Sequence, residues 1–163
     1  KAVAPSGVHL HTQDLRSVLN IRTFREILFP IHCKTNLLPE PEQTAEGLLA
    51  GDLLQLLERH LQGDAPYFFR MQILAPMAED KKNIFLKKTA YALEEKSGYR
   101  LKNTPGRYEV EIRLIQKREG DFHAYLKFYT LPMRRFSYRK NALAGSINAL
   151  FSQAVFKRGC SSA

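Results

Sequence analysis

Cations and aromatic rings form the most suggestive group of side chains in this sequence. Between residues 134 and 140, four cations surround two aromatic residues. Cations neutralise the phosphates of a nucleic acid, and aromatic rings stack on unpaired bases. The segment therefore predicts RNA contacts, and the alternative is a solvated basic face with both rings in the core. The predicted contacts are Arg134, Arg135, Arg139 and Lys140 for phosphates and Tyr138 for stacking.

A second group of cations surrounds a predicted turn. Arg100, Lys102 and Arg107 flank the segment Asn103–Gly106, whose proline and glycine favour a turn. Lys102 and Arg107 are the phosphate contacts that we expect from this loop, and a solvated basic loop is the alternative. The lysines within residues 81–88 are a weaker signal, because lysine-rich faces are common on helices that bind no ligand.

Histidines and cysteines give little support for catalysis. His9 and His11 alternate as two metal ligands on one strand would, but no cluster of Cys, Asp or Glu nearby completes a site. His32 and Cys33 pair a base with a nucleophile, yet adjacent side chains on a strand point to opposite sides. We therefore expect no metal ligand and no catalytic residue among these four.

Two glutamates are a further candidate for acid–base chemistry. Glu109 and Glu111 would share one face of a strand, where paired carboxylates can act as acid and base. Arg113 follows on the same face, so we favour a solvated row of salt bridges. The sequence also contains no glycine-rich phosphate loop, no G-x-S-x-G elbow and no H-E-x-x-H motif. We predict that this chain alone is not catalytic.

The composition is that of a folded, basic domain. Of 163 residues, 44% are hydrophobic and 25% are charged, which suits a packed core and argues against a wholly disordered chain. The net charge of +9 favours a polyanionic partner, with nucleic acid before an anionic membrane surface. No apolar run approaches the roughly 20 residues of a spanning helix, so we expect no membrane partner. Cys33 and Cys160 are expected to be reduced thiols in the cytoplasm.

Hydrophobic periodicity predicts an α/β fold with one small mixed sheet. Apolar and polar residues alternate through two neighbouring segments, which is typical of half-buried strands joined by a hairpin turn. Three strands are expected to share the sheet, with the helix closed by Gly98 packed across it. The expected elements are a linker at Lys34–Thr44, helix Leu48–Leu61, strand Tyr67–Leu74, helix Glu79–Ser97, strands Arg107–Ile115 and Phe122–Tyr129, and helix Ala142–Phe156.

Several phrases of the sequence resemble THUMP-containing RNA methyltransferases. Residues 22–30 (RTFREILFP) resemble a segment near the N-terminus of that family. Residues 99–105 (YRLKNTP) followed by 108–114 (YEVEIRL) are similar to the centre of a THUMP domain. Residues 135–140 (RFSYRK) with 146–148 (SIN) resemble the junction with the methyltransferase domain. Together these phrases extend over most of the chain.

The resemblance implies a THUMP-like module preceded by part of a ferredoxin-like subdomain. In that family the module captures structured RNA, often the acceptor end of a tRNA. It presents the RNA to a separate domain that uses S-adenosylmethionine, typically to methylate guanine at N2. The family's glycine-rich cofactor loop and its Asn/Asp-Pro-Pro-Tyr/Phe motif are absent here, and Ala149 stands where a proline is expected. The chain is thus expected to be the RNA-binding portion, without the catalytic domain and its cofactor.

This interpretation divides the chain into three parts. Residues 1–45 would form the partial subdomain and a linker, residues 46–133 the THUMP-like RNA-binding domain, and residues 134–163 a junction helix toward the methyltransferase domain. The expected partners are structured RNA, tRNA rather than rRNA, and the protein's own methyltransferase domain. Two other classes stay open. A small enzyme would gather titratable groups in a deep pocket, and a protein-interaction domain would expose a broad apolar patch.

Overall fold

A computed structural model of the chain describes residues 8–20, 26–118 and 121–131. It contains helices and one mixed sheet, so the fold class is α/β, as the periodicity predicts. The elements in chain order are α1 (Leu15–Leu19), β1 (Phe29–Pro30), α2 (Pro41–Ala50), α3 (Leu53–His60), β2 (Tyr67–Leu74), α4 (Glu79–Lys96), β3 (Leu101–Asn103), β4 (Val110–Arg118) and β5 (Asp121–Phe128).

The five strands lie in the order β1-β5-β4-β2-β3. β2 runs parallel to its two neighbours, β3 and β4, while β5 pairs antiparallel with β4 and with β1. The register places Met71 beside Ile112, and Ile112 beside Leu126. The three predicted strands therefore share one sheet, and Val110 and Leu126 share one core, as predicted. The short strand β3 was not predicted.

Helix α4 packs on one side of this sheet through its apolar residues. The ring of Phe85 lies 5.8 Å from the ring of Phe122, centroid to centroid, and Leu93 is fully buried. Gly98 ends the helix with a φ of +62°, and its N–H bonds to the Glu95 carbonyl, which confirms the predicted C-terminal cap. We call the helix-covered side of the sheet the first face.

The predicted single helix Leu48–Leu61 is wrong, because the chain breaks it into α2 and α3. At the break, the Asp52 carboxylate accepts a hydrogen bond from the backbone N–H of His32 at 2.8 Å. Gly51 lies against the same residue, and a Cβ there would come within 2.6 Å of the His32 carbonyl oxygen. A contact with a distant part of the chain therefore interrupts the helical pattern.

The predicted linker Lys34–Thr44 is wrong in its second half, which is helical. α2 begins at Pro41, and the fixed φ and missing N–H of proline suit the first helical position. Leu37 is only 2% exposed, and its carbonyl accepts a hydrogen bond from the Phe122 N–H at 3.0 Å. The segment thus packs against the edge of the sheet.

The chain divides into two compact units, one of residues 27–131 and one of residues 1–26 with 132–163. The first contains the sheet and helices α2 to α4. In the second, α1 begins after Asp14, whose carboxylate accepts hydrogen bonds from the N–H groups of Arg16 and Ser17. The predicted helix Ala142–Phe156 lies outside the described residues. Within the described ranges, no helix is long and apolar enough to cross a membrane.

Candidate nucleic-acid interface

Polar and aromatic side chains occupy the side of the sheet that α4 does not cover. Alternation along β2 places Arg70 on this side and the buried Phe69 on the first face. The register then places Glu111 beside Arg70 and Lys127 beside Glu111. We call this side the second face.

Glu111 gathers two arginines and a tyrosine at the middle of the second face. One carboxylate oxygen, Oε1, accepts hydrogen bonds from Nε and Nη2 of Arg113 at 2.9 and 2.5 Å. The other, Oε2, accepts from Nε and Nη2 of Arg70 at 2.8 and 2.5 Å and from the Tyr129 hydroxyl at 3.0 Å. With Tyr108, which packs against Arg70, these residues are called the Glu111 cluster below.

Of the predicted row of salt bridges, Glu111 and Arg113 are paired, but the predicted solvated character is wrong. Glu111 is 0% exposed and Arg113 is 7% exposed. An unpaired carboxylate would be very unfavourable at such a position. Each of the two guanidinium groups donates a pair of hydrogen bonds to the Glu111 carboxylate, and these bonds offset the free-energy cost of burying the charge. The carboxylate of the neighbouring Glu109 instead accepts a hydrogen bond from the Phe68 N–H at 3.4 Å.

The pairing determines the charge state of the cluster. Burial by itself would raise the pKa of the Glu111 carboxyl, but hydrogen bonds from Arg113 and Arg70 outweigh it and the pKa lies below its ordinary value. Burial, and then the adjacent Glu111 carboxylate, raise the pKa of the Tyr129 hydroxyl. Glu111 is therefore ionised and Tyr129 neutral at neutral pH, and the carboxylate is held by two guanidinium groups.

Two tyrosine rings complete the cluster. The Tyr108 and Tyr129 rings meet edge to face, with centroids 5.0 Å apart. The guanidinium carbon of Arg70 lies 4.3 Å from the Tyr108 centroid, and the Lys127 ammonium lies 5.1 Å from the Tyr129 centroid. These distances are typical of cation–π contacts. Tyr129 stays 42% exposed, so the cluster presents an aromatic residue beside the guanidinium of Arg70.

The predicted cation Lys102 lies on β3, and the predicted cation Arg107 lies in the loop between β3 and β4. Lys102 pairs in register with Phe68, which shares the second face with Arg70. Arg107 directly precedes Tyr108, and both predicted cations are exposed. Within residues 8–20, 26–118 and 121–131, neither forms an ion pair. Arg100, the third cation of the predicted loop, is instead paired with Glu58.

The predicted contacts Arg134, Arg135, Tyr138, Arg139 and Lys140 lie outside the described residues. Their role in RNA binding therefore stays a prediction. The same holds for the alternative, in which the aromatic residues of this segment belong to the core.

The described histidines and Cys33 do not form a nucleophilic pair. The Nδ1 atom of His32 lies 2.9 Å from an Asp52 carboxylate oxygen, so the imidazole is engaged with an acid. Burial, together with the negative charge of Asp52, raises the pKa of the Cys33 thiol to about 11, whereas nucleophilic cysteines have a lowered pKa. His9 and His11 lie outside any strand, and the described part of the chain holds no group of three potential metal ligands.

A separate basic surface lies on α4. Lys81, Lys87 and Lys88 are exposed, and two large apolar side chains, Ile84 and Tyr91, are exposed beside them at 57% and 67%. Helical spacing places these residues along one strip. The strip projects from the layer that covers the first face, so it is a surface distinct from the Glu111 cluster.

No protein-family model and no curated protein sequence matches the chain. The function must therefore be argued from the residues that the fold brings together.

Sequence reasoning singled out Lys102 and Arg107 but not the residues of the Glu111 cluster. Arg70 lies 41 residues before Glu111, so no local pattern joins them. Tyr108 and Tyr129 were assigned only to the ends of strands. Two signals were available in the sequence. Glu111 and Arg113 alternate with the apolar residues of β4, and Arg70 is a charged residue within the mostly apolar β2.

Proposed function

We propose that this chain binds structured RNA, tRNA in preference to rRNA, as the RNA-binding module of an S-adenosylmethionine-dependent RNA methyltransferase. The methyltransferase part of the proposal rests on the resemblance of residues 99–114 and 135–140 to THUMP-containing enzymes. The cofactor would belong to a separate catalytic domain, and this chain would supply RNA affinity.

One observation carries the RNA-binding part. Two exposed cations, Lys102 on the second face and Arg107 next to Tyr108 in the chain, accompany the partly exposed guanidinium of Arg70 and the two tyrosine rings of the Glu111 cluster. Free cations attract phosphates, and each neutralised phosphate releases counterions. The overall charge of +9 adds long-range attraction for any polyanion.

Filter binding of a tRNA transcript across a salt series tests the proposal. We expect affinity to fall steeply as salt rises. The double variant Lys102→Ala/Arg107→Ala should flatten the log–log slope by about two, one for each lost phosphate contact. The matched control is Lys87→Ala/Lys88→Ala, which removes the same charge from α4 and should change the slope less. Equal slopes for wild type and the first variant, with equal affinities, would overturn the assignment of this loop.

The segment outside the described residues has its own test. Arg135→Ala/Arg139→Ala should also flatten the salt slope by about two. Tyr138→Ala should weaken binding without changing the slope, if its ring stacks on a base. A drop in thermal stability that accounts for the binding loss would instead assign Tyr138 to the core.

The methyltransferase part is tested separately. Isothermal calorimetry of the chain with S-adenosylmethionine should show no binding, because no cofactor loop is present in its sequence. Micromolar affinity for the cofactor would contradict the proposed division of labour.

A further inference from the structure

The Arg70 side chain is held in one orientation by hydrogen bonds that involve only part of its N–H donors. Its Nε and Nη2 atoms donate to Glu111, Nη2 also donates to the Tyr129 hydroxyl at 2.8 Å, and the guanidinium lies over the Tyr108 ring. Its Nη1 amino group makes no hydrogen bond within the described part of the chain. The side chain is 39% exposed. Two N–H donors of this partly exposed side chain are therefore held in place without an acceptor among the described residues.

A fixed arginine of this kind is suited to an anionic oxygen. The five N–H donors of a guanidinium form a rigid fork that matches phosphate geometry. Because Glu111 and Tyr129 already hold the fork, binding an anion costs little additional side-chain entropy. Glu111 is then a positioning residue, and Arg70 is the residue that contacts the ligand.

Tyr129 contacts the same guanidinium group, whose carbon lies 5.5 Å from the centroid of the Tyr129 ring. Its hydroxyl is fixed between Arg70 and Glu111, and 42% of the residue is exposed. Every nucleobase has a π-face that can stack on such a ring. A base inside a duplex is already stacked and paired, so only an unpaired base can use the ring.

We propose that the Glu111 cluster binds one unpaired nucleotide of an RNA, with a phosphate oxygen on the Nη1 edge of Arg70 and the base on the ring of Tyr129. This inference rests on the proposed RNA-binding function and assigns a site for it. Lys102 and Arg107 then contact phosphates of neighbouring nucleotides.

Two RNA probes distinguish the site from general attraction of phosphates. The first is a blunt-ended hairpin, and the second is the same hairpin with four unpaired nucleotides at its 3′ end. Fluorescence anisotropy with the full chain should show that the second hairpin binds roughly five to 150 times more tightly, which is the range for stacking of one base. Both hairpins should show the salt dependence of phosphate contacts.

Variants of the two contact residues then locate the preference. Tyr129→Leu should remove most of the preference for the unpaired end, whereas Tyr129→Phe, which keeps the ring, should retain most of it. Arg70→Ala should flatten the salt slope by about one for the hairpin with the unpaired end and leave the slope for the blunt hairpin unchanged. Lys87→Ala on α4 is the matched charge control and should leave the preference intact.

The outcomes separate this proposal from the proposed function. If wild type binds neither hairpin, RNA binding itself is wrong. If it binds both equally, or if Tyr129→Leu and Arg70→Ala keep the full preference, the nucleotide site is wrong and the RNA-binding function stands. Thermal melts accompany each variant. If Arg70→Ala is unfolded at the assay temperature, Arg70→Lys replaces it, because lysine keeps the charge and loses the fork, and an undiminished preference in Arg70→Lys would overturn the role of Nη1.

Discussion

The two faces of the sheet are stabilised in different ways, although the same strands form both. On the first face, Phe69, Val110 and Leu126 are buried by apolar packing, which tolerates many side chains of similar volume. On the second face, Glu111 is buried just as completely, but by defined hydrogen bonds to Arg70 and Arg113. Burial alone therefore does not reveal function. A buried carboxylate that fixes a partly exposed arginine does suggest a binding surface, whereas a buried leucine suggests only a core.

The largest expected effect is on the second face. Glu111→Ala leaves two guanidinium groups without their shared carboxylate, so we expect a loss of about 3–5 kcal/mol in the free energy of unfolding. Urea denaturation followed by circular dichroism measures it. Replacing the pair together, as Glu111→Leu/Arg113→Met, should cost less than Glu111→Ala alone. A loss below about 1 kcal/mol for Glu111→Ala would mean that the cluster behaves as a solvated salt bridge, which would remove the contrast between the faces.

The matching change on the first face is Leu126→Ala. Leu126 is 0% exposed and lies beside Ile112. A cavity at this position should cost about 2–5 kcal/mol, measured in the same denaturation experiment. RNA affinity below the melting temperature should stay unchanged, because no residue of the second face is altered. Loss of binding in a folded Leu126→Ala variant would contradict the division into a packing face and a binding face.

Acid should weaken the second face selectively. The pKa of Glu111 is lowered in the folded chain, so its stabilising contribution is present above the ordinary carboxyl pKa of about 4.3 and is lost as pH falls through the folded value. Glu111→Gln cannot titrate. The fall in unfolding free energy at acid pH should therefore be shallower in this variant than in wild type. Parallel plots of unfolding free energy against pH for the two proteins would show that the titration of Glu111 does not contribute to stability.

A smaller pH effect is expected on the first face, at His60. Its ring lies 5.1 Å from Phe29 and 5.2 Å from Phe128, and burial, then the neighbouring Arg59, lower its pKa. The unfolded chain then binds the proton more readily, so stability should decrease as pH falls below about 6.5. His60→Phe keeps the ring and should remove this decrease in a pH series of thermal melts. His123→Gln, at an exposed position on β5, is the control.

The strands and α4 could be predicted because each is determined by residues that lie close together in the sequence. Period-two alternation defines β4 and β5, and Gly98 supplies the left-handed conformation that ends α4. The break at Gly51–Asp52 escaped prediction because it depends on contact with His32, 20 residues earlier than Asp52. The burial of Glu111 escaped prediction for the same reason. Charged side chains usually face solvent, and Glu111 is buried because Arg70, from a strand distant in the sequence, pairs with it.

RNA bound on the second face of the sheet, as proposed, and RNA bound on the lysine strip of α4 would affect different residues. Chemical-shift mapping of the isotopically labelled chain with the hairpin that has four unpaired 3′ nucleotides distinguishes the two surfaces. Binding on the second face should give the largest shifts at Arg70, Tyr108 and Tyr129, with Lys102 and Arg107 next. Shifts confined to Lys81, Lys87 and Lys88 on α4, with the Glu111 cluster unchanged, would contradict it.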